Sequence, residues 1–238
     1  MSFFDFSEEI DYPIYFTECT TPVHNELLRN TINDYHSYCS FVTPPTRRIN
    51  WLIYETKTTN LIGAIGLSSC VLAIKCRDSY IGWNKDARMK NSNKVANNYR
   101  FCLIPGVTDL KNVGSMALKL LREEGAKRWK SKYGDDLIGI ETYVERIDNE
   151  ELHRSGAVYK ASNWTHVGDS MGTSIKKAPL KLWRAEDSAR GRLARKNPEA
   201  ACEKYGYGKK GYVTTPSKQK MVFFKPLMRD WRKHLLNH

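Results

Sequence analysis

Long apolar runs are missing from this 238-residue chain. A membrane span needs roughly 18–20 consecutive apolar residues, and the longest candidate, Leu61–Leu67, has the length of a strand. The opening Met1-Ser-Phe-Phe-Asp5 lacks the basic start and apolar stretch of a secretory leader. The six cysteines (Cys19, Cys39, Cys70, Cys76, Cys102, Cys202) form no C-x-x-C pair, which excludes a zinc ribbon and a redox dithiol. No metal site is expected. Cys70, Cys76 and Cys102 sit among apolar or strand-forming neighbours and read as small buried hydrophobes rather than nucleophiles. The P-loop pattern G-x-x-x-x-G-K-[ST] is absent. There is no internal repeat. These absences lead us to expect a cytoplasmic protein with no membrane attachment. A hydrophobic share of 41% suffices for a packed core rather than a disordered chain.

Acidic residues are scarce in one region only. Residues 1–175 hold 21 Lys/Arg and 21 Asp/Glu, whereas residues 176–238 hold 17 and 5. The whole formal charge of +12 therefore sits in the last quarter of the chain. Such a segment releases counterions when it meets a polyphosphate, which gives affinity for nucleic acid without regard to sequence. Arg190, Arg192, Arg195, Lys196, Lys209 and Lys210 are the candidate phosphate contacts. Trp183, Tyr205, Tyr207 and Tyr212 are interleaved with them and could stack on bases. Phe223, Phe224 and Trp231 read as core instead. An acidic partner protein or an anionic membrane surface would be met by the same charges.

Periodicity gives a mixed α/β order. Pro22 opens a helical pattern from Val23 to about Tyr38. Ile49–Glu55 and Leu61–Ser68 read as a hairpin of two strands. Cys70–Cys76 extends the sheet or passes over it, and Asn84–Lys94 reads as a loop or short helix. Tyr99–Ile104 is a strand, Asn112–Lys132 the clearest helix, and Leu137–Val144 another strand. A helix over Asn149–Asn163, a short strand over Thr165–Gly168, a basic helix over 183–204 and a loop over Gly206–Lys218 follow. Val222–Lys225 is a late strand and Leu227–Leu236 a closing helix. This is not the alternation of a doubly wound nucleotide-binding fold. The chain divides into a core (1–174), a basic helical or loop insertion (175–219) and a closing strand and helix packed back on the core (220–238).

The join Arg100–Ser115 runs from a strand through Pro105-Gly106 into the long helix. A helix start with unpaired N–H groups suits a phosphate or pyrophosphate, and Gly114 would allow close approach of backbone to ligand. The other reading is that Asp109 or Asn112 simply caps the helix. Tyr159 and Trp164 likewise read either as site residues or as amphipathic packing.

Several segments together resemble a known family. They are Asn97–Pro105, Leu110–Ser115, Glu141–Glu145 and Gly156–Trp164, with Leu61–Ser69, Arg77-Asp78, Tyr80–Trp83 and Lys220–Leu227 in support. In this order they resemble the domain of the Druantia anti-phage DruA family, which has no assigned activity. That family is similar in turn to the Mom DNA-modification protein of phage Mu and to GNAT-type acyltransferases. The resemblance implies a GNAT-like, mostly antiparallel twisted sheet flanked by helices, here with a basic C-terminal extension. It implies acetyl-coenzyme A or a related acyl thioester as donor, held by Arg100, Asn112, Val113 and Gly114. It also implies a Mom-like site of Ser115, Glu145 and Tyr159, with Glu145 acting on an acceptor amine and Tyr159 as proton donor to the leaving thiolate. Glu145 stands where the family leads us to expect Asp. The resemblance implies DNA as target and other defence-system proteins as partners, in a bacterial cell and in phage defence or counter-defence. A non-catalytic DNA-binding module with the same fold is the alternative. Asp109 and Asn112 favour it, because acetyltransferases prefer Arg or Gln and Gly at these positions.

Overall fold

The computed structural model describes residues 12–36, 41–145, 147–148, 153–171, 173–177, 188–197, 200–201, 204, 213–216 and 218–236. Strand β1 (Ile14–Glu18) is followed by helix α1 (Pro22–Tyr35) and the hairpin of β2 (Arg48–Glu55) and β3 (Leu61–Ser69). Thr21 caps α1 by accepting from the His24 N–H, and Pro22 sits where a missing N–H costs nothing. β3 is buried along almost its whole length, which is why it reads as a continuous apolar run.

Two short helices, α2 (Lys75–Ile81) and α3 (Lys85–Asn91), lead into β4 (Val95–Leu103). The long helix is one continuous rod. It comprises α4 (Val113–Leu120), a π-turn over Leu121–Gly125, and α5 (Ala126–Tyr133). Then come β5 (Gly139–Glu145), the two-residue pair β6 (Ile147–Asp148) and β7 (His153–Arg154), α6 (Ala157–Ala161), and β8 (Thr165–Asp169). β9 (Thr173–Lys177), α7 (Ala189–Lys196), β10 (Val213–Pro216), β11 (Lys220–Pro226) and α8 (Trp231–Leu236) complete the chain.

Seven strands form one sheet in the order β1-β2-β3-β4-β5-β11-β8. Every neighbouring pair is antiparallel except β4 and β5, which are parallel. The rod α4–α5 and helix α6 cover one face through Val113, Ala117, Leu121, Trp129 and Tyr159. On the other face α1 covers β2–β4 through Leu28 and Ile32, and α2, α3 and α8 cover the remaining half through Ile81, Trp83 and Trp231. Phe223 and Phe224 are both fully buried because successive strand residues enter opposite layers.

The expected sheet class, hairpin, long helix and late strand are all present. The helix expected over Asn149–Asn163 is not. His153 and Arg154 pair with β6, and a helix forms only from Ala157. Gly156 enforces this start: its φ is +69°, and a Cβ there would lie 2.5 Å from the Phe223 ring. Val213–Pro216 is a further correction, a strand paired with β9 rather than loop. Of the two readings of Asn84–Lys94, loop or short helix, the helix is the one that forms. β1 and β9 had no clear signal in the sequence. Strand β11 is an interior strand of the sheet, between β5 and β8.

Candidate active-site cleft

Parallel strands β4 and β5 pair only over Val95–Asn97 and Gly139–Glu141, and beyond that they diverge. A bulge lies at the point of divergence. Leu67 of β3 faces Asn98, the preceding Gly66 faces Arg100, and Tyr99 is the extra residue. A bulge bends its strand and interrupts the ladder. Asn98 stitches this one together: its Nδ2 donates to the Gly66 carbonyl at 3.0 Å and to the Arg100 carbonyl at 2.9 Å.

A cavity of about 380 Å³ fills the wedge between the strands. Asn98, Phe101 and Leu103 line it from β4, Thr142 and Val144 from β5, and Val158 and Tyr159 from α6. Its far wall is Tyr35 and His36 at the end of α1. Tyr159 is buried, and its hydroxyl donates to Asn98 Oδ1 at 2.9 Å. Thr142 Oγ1 donates to the Asn98 carbonyl at 3.0 Å and lies 3.4 Å from the same phenol. The Tyr159 ring stacks on Phe223 and meets Trp164 edge-on, with centroids 5.7 and 5.1 Å away. The phenol is thus a fixed polar group, tied to two further polar side chains of the cavity wall, Asn98 and Thr142.

Helix α4 begins beside this cavity. Asn112 takes the left-handed conformation (φ 60°) and its side chain makes no capping bond. The backbone of Asn112 begins the helix by accepting from the Met116 N–H. The residue after Val113 explains its own identity: a Cβ on Gly114 would lie 2.6 Å from Val158 Cγ2, so this glycine lets α6 close on α4. Val158 and Leu103 touch both Gly114 and the cavity, which places the start of α4 at the cavity's rim. Ser115 follows in the first turn and is half-buried, and Val113 is a core residue.

Arg100 does not line the cavity. The bulge turns it with Tyr99, over whose ring its guanidinium sits at 5.1 Å, and the Tyr99 hydroxyl donates to Asn50 Oδ1. Glu145 is also apart from Tyr159. Alternation along β5 puts it with Glu141 and Tyr143 on the face opposite Thr142, and Lys218 Nζ lies 2.6 Å from its carboxylate. The structure therefore brings Tyr159, Gly114 and Ser115 to one side of the sheet and leaves Arg100 and Glu145 outside that group. Trp83 and Trp164 are core residues, the first donating from Nε1 to the Leu235 carbonyl at 2.8 Å.

Three features escaped sequence reasoning: Asn98, Thr142 and a buried ionic cluster behind β5. Arg77 and Glu141 are fully buried and paired, and Arg77 also contacts Asp78, which pairs with Arg88 at 2.7 Å. Glu141 accepts from the Val71 N–H as well. Burial pushes its carboxyl up, opposed by the Arg77 charge and the Val71 N–H. The signals were the consecutive Asn97-Asn98 within a strand and the single carboxylate in the apolar run Leu137–Val144.

Among the described residues no group of His, Cys, Asp and Glu could hold a metal ion, and no helix is long and apolar enough to cross a membrane. In α7 the basic residues Arg192, Arg195 and Lys196 are exposed while Gly191 and Ala194 are buried. Arg190 belongs to the same helix. Lys209 and Lys210 lie outside the described residues. So does the spacing G-x-G-x-x-G at Gly206–Gly211, which follows no apolar strand in the sequence and thus lacks the setting of a dinucleotide loop.

The sequence pattern of the family described as Druantia protein DruA matches residues 17–236. The chain belongs to the DruA family. That match spans the cleft, the cationic segment and the closing strand together. No curated protein matches the chain. Among solved structures, a GNAT-family acetyltransferase from Bacillus anthracis is 10% identical, covering 91% of this chain and 96% of its own, with a TM-score of 0.46. FeeM, an N-acyl amino acid synthase from uncultured soil microbes, is 11% identical over 92% and 93%, with a TM-score of 0.45. An aminoglycoside 6'-N-acetyltransferase complexed with coenzyme A is 14% identical over 91% and 97%, with a TM-score of 0.40. These likenesses concern the fold alone.

Proposed function

We propose that this DruA-family protein is an acyltransferase of the GNAT type that acts on a DNA base, with acetyl-coenzyme A or a related acyl thioester as donor. The observation that carries the reading is the wedge between β4 and β5. It is a cavity with a fixed phenol, bordered by the start of a long helix whose first residue carries no side-chain cap. Such a start attracts a pyrophosphate through its N–H groups and dipole, and the wedge would take the pantetheine and acyl group. In the reaction an amine nitrogen bonds to the acyl carbon and the carbon–sulfur bond breaks. The proton lost by the amine balances the one gained by the thiolate. The N–H groups of Val113, Gly114 and Ser115 would hold the donor, and Tyr159 would meet the reacting groups. An exocyclic amine of a base must be unpaired to react, so the base would be flipped or presented single-stranded. α7, with the cationic sequence around it, would hold the polyanion, in the cytoplasm of a cell under phage attack.

A second reading has its own support. Val158 fills the space that Gly114 leaves, and the Tyr159 hydroxyl is engaged within the fold. Both fit a DNA-binding module that kept the architecture without the reaction. Two measurements separate the readings. Acetyl-coenzyme A is titrated into the full chain by calorimetry, and nucleosides from the DNA of expressing cells are analysed by mass. Binding that Ser115→Trp abolishes, with a new acylated nucleoside absent from a Tyr159→Phe strain, is the expected result. Absence of both binding and modified nucleosides, with DNA affinity intact, would leave the binding module.

A further inference from the structure

Helices α3 and α8, on the face of the sheet away from the long rod, carry a second positive surface. They pack over one apolar cluster, α3 through Ala87 and α8 through Trp231 and Leu235. Lys94 Nζ, just after α3, donates to the His234 carbonyl at 3.0 Å, and Trp83 Nε1 donates to that of Leu235. Exposed on this surface are Lys85 and Lys90 of α3, Arg229 before α8, and Arg232 and Lys233 of α8. The acids within 85–94 and 229–236 are Asp86 and Asp230. Across the sheet the cations of α5 are answered by the fold's own carboxylates: Lys127 by Glu124, Lys130 by Asp136, and Arg128 and Lys132 by Glu18. On the α3–α8 surface Lys233 has Asp230 at 3.9 Å. Lys85, Lys90, Lys94, Arg229 and Arg232 have no ion-pair partner among the described residues. Two of these unanswered charges are also held still. The Arg232 guanidinium lies over the Tyr80 and Trp231 rings, 5.0 and 4.2 Å from their centroids, and donates to the Tyr80 carbonyl at 3.3 Å. Lys94 Nζ donates to Asn91 Oδ1 at 2.8 Å as well as to His234, which leaves one of an ammonium's three hydrogens. A solvated lysine gains nothing from such fixing. A binding surface does, because less freedom is lost when the ligand arrives.

We propose that the α3–α8 face is a second contact for the phosphate backbone of duplex DNA, separate from α7. It shares DNA with the reading above and needs neither the acyl donor nor the chemistry of the cavity. Phosphates fit this face better than an acidic protein does. Protein interfaces close round an apolar centre, whereas α8 turns Trp231 and Leu235 inward, and the large apolar side chains exposed here are Met89 and Met228. A polyphosphate needs cations, and counterions to release. The face also lies close to the cavity. Lys94 directly precedes β4, and Asn98 of the cavity wall stands four residues on. That is about 13 Å of strand, well under one turn of duplex, roughly 34 Å. The zero net charge of residues 1–175 conceals this surface, because the fold sets the lysines of α3 beside a helix far along the chain.

Lysine footprinting of the full chain tests the contact. The protein is acetylated briefly with sulfosuccinimidyl acetate, alone and with a duplex of about three helical turns, and its peptides are read by mass. Lys85 and Lys90 should react about threefold or more slowly with the duplex bound, since backbone contacts cover them. Lys57, exposed in the β2–β3 turn, should keep its rate. In a folded variant carrying Lys85→Glu, Lys90→Glu and Arg229→Glu, the slope of log affinity against log salt should fall by about 3. Glutamate at Arg192, Arg195 and Lys196 should lower it further and separately. If the first triple variant does not fold, the footprint on the parent chain still decides. Unchanged reactivity of Lys85 and Lys90 beneath a duplex that binds would overturn the proposal and leave α7 as the contact. Protection by polyglutamate but not by the duplex would make the face a site for an acidic protein and overturn it equally. A chain with no affinity for any duplex would take the DNA reading down as well.

Discussion

The thiol of Cys70 lies 3.3 Å from the Ser92 carbonyl oxygen, and burial, with Glu141 nearby, pushes its pKa up to about 12. An ordinary thiol near 8.5 is about a quarter thiolate at pH 8, and thiolate is the reactive form. At a pKa of about 12 the fraction falls to about one part in ten thousand. Cys19 is held in the same range, again chiefly by burial. Cys102 is buried too. Iodoacetamide at pH 8 should therefore leave Cys19, Cys70 and Cys102 unmodified in the native protein and label them after unfolding in guanidinium, read by peptide mass. Native labelling of Cys70 within minutes would contradict the burial on which this depends. The same physics separates what sequence reveals at single positions from what it hides. Apolar neighbours announced burial correctly at Cys70 and Cys102 but not at Cys76, which is only half-buried. Asn98 announces only that a polar group stands in a strand, because the carbonyls that it serves belong to another strand and to a bulge.

Elements are legible where one period dominates. β3 is apolar along its length, and the rod α4–α5 repeats its buried face through Ala117, Leu121 and Trp129, so both were readable. The helix expected over Asn149–Asn163 was misread because local helix preference outweighed Gly156, whose positive φ ends any helix arriving from before it. The bulge at Tyr99 inserts one residue, which apolar alternation does not register. Gly114 was read as room for a ligand, yet its neighbour is Val158. A test follows at this scale. Gly114→Ala should destabilise the fold by about 1–3 kcal/mol through overpacking of α4 against α6. Adding Val158→Ala should restore much of that loss in a urea titration. If the second change restores nothing, the contact between the helices is not what requires glycine. Restored stability with coenzyme A binding still lost would mean that this position serves packing and donor alike.

In the whole molecule, the cationic sequence leaves the sheet after β8 and returns through β11, which lies between β8 and β5. A segment tied at both ends to neighbouring strands cannot be removed from the C-terminal side without taking an interior strand with it. Truncation after Gly172 therefore tests folding rather than DNA contact. Charge reversal is the informative change. Gly191 and Ala194 face inward on α7, while Arg192, Arg195 and Lys196 are exposed, so glutamate at the three basic positions alters charge and spares the packed face. Each phosphate neutralised contributes about 0.9 to the slope of log affinity against log salt. If these side chains meet phosphates, the triple reversal should lower that slope by about 3. It should weaken binding to duplexes of different sequence alike, since phosphate contacts carry no base information. The melting temperature is recorded beside the parent's, so that affinities are compared between folded proteins. The binding isotherms are recorded across a range of salt with two unrelated duplexes. An unchanged slope in a folded triple variant would move the polyanion contact away from α7. A loss confined to one duplex would make the helix a reader of bases instead of a clamp on the backbone.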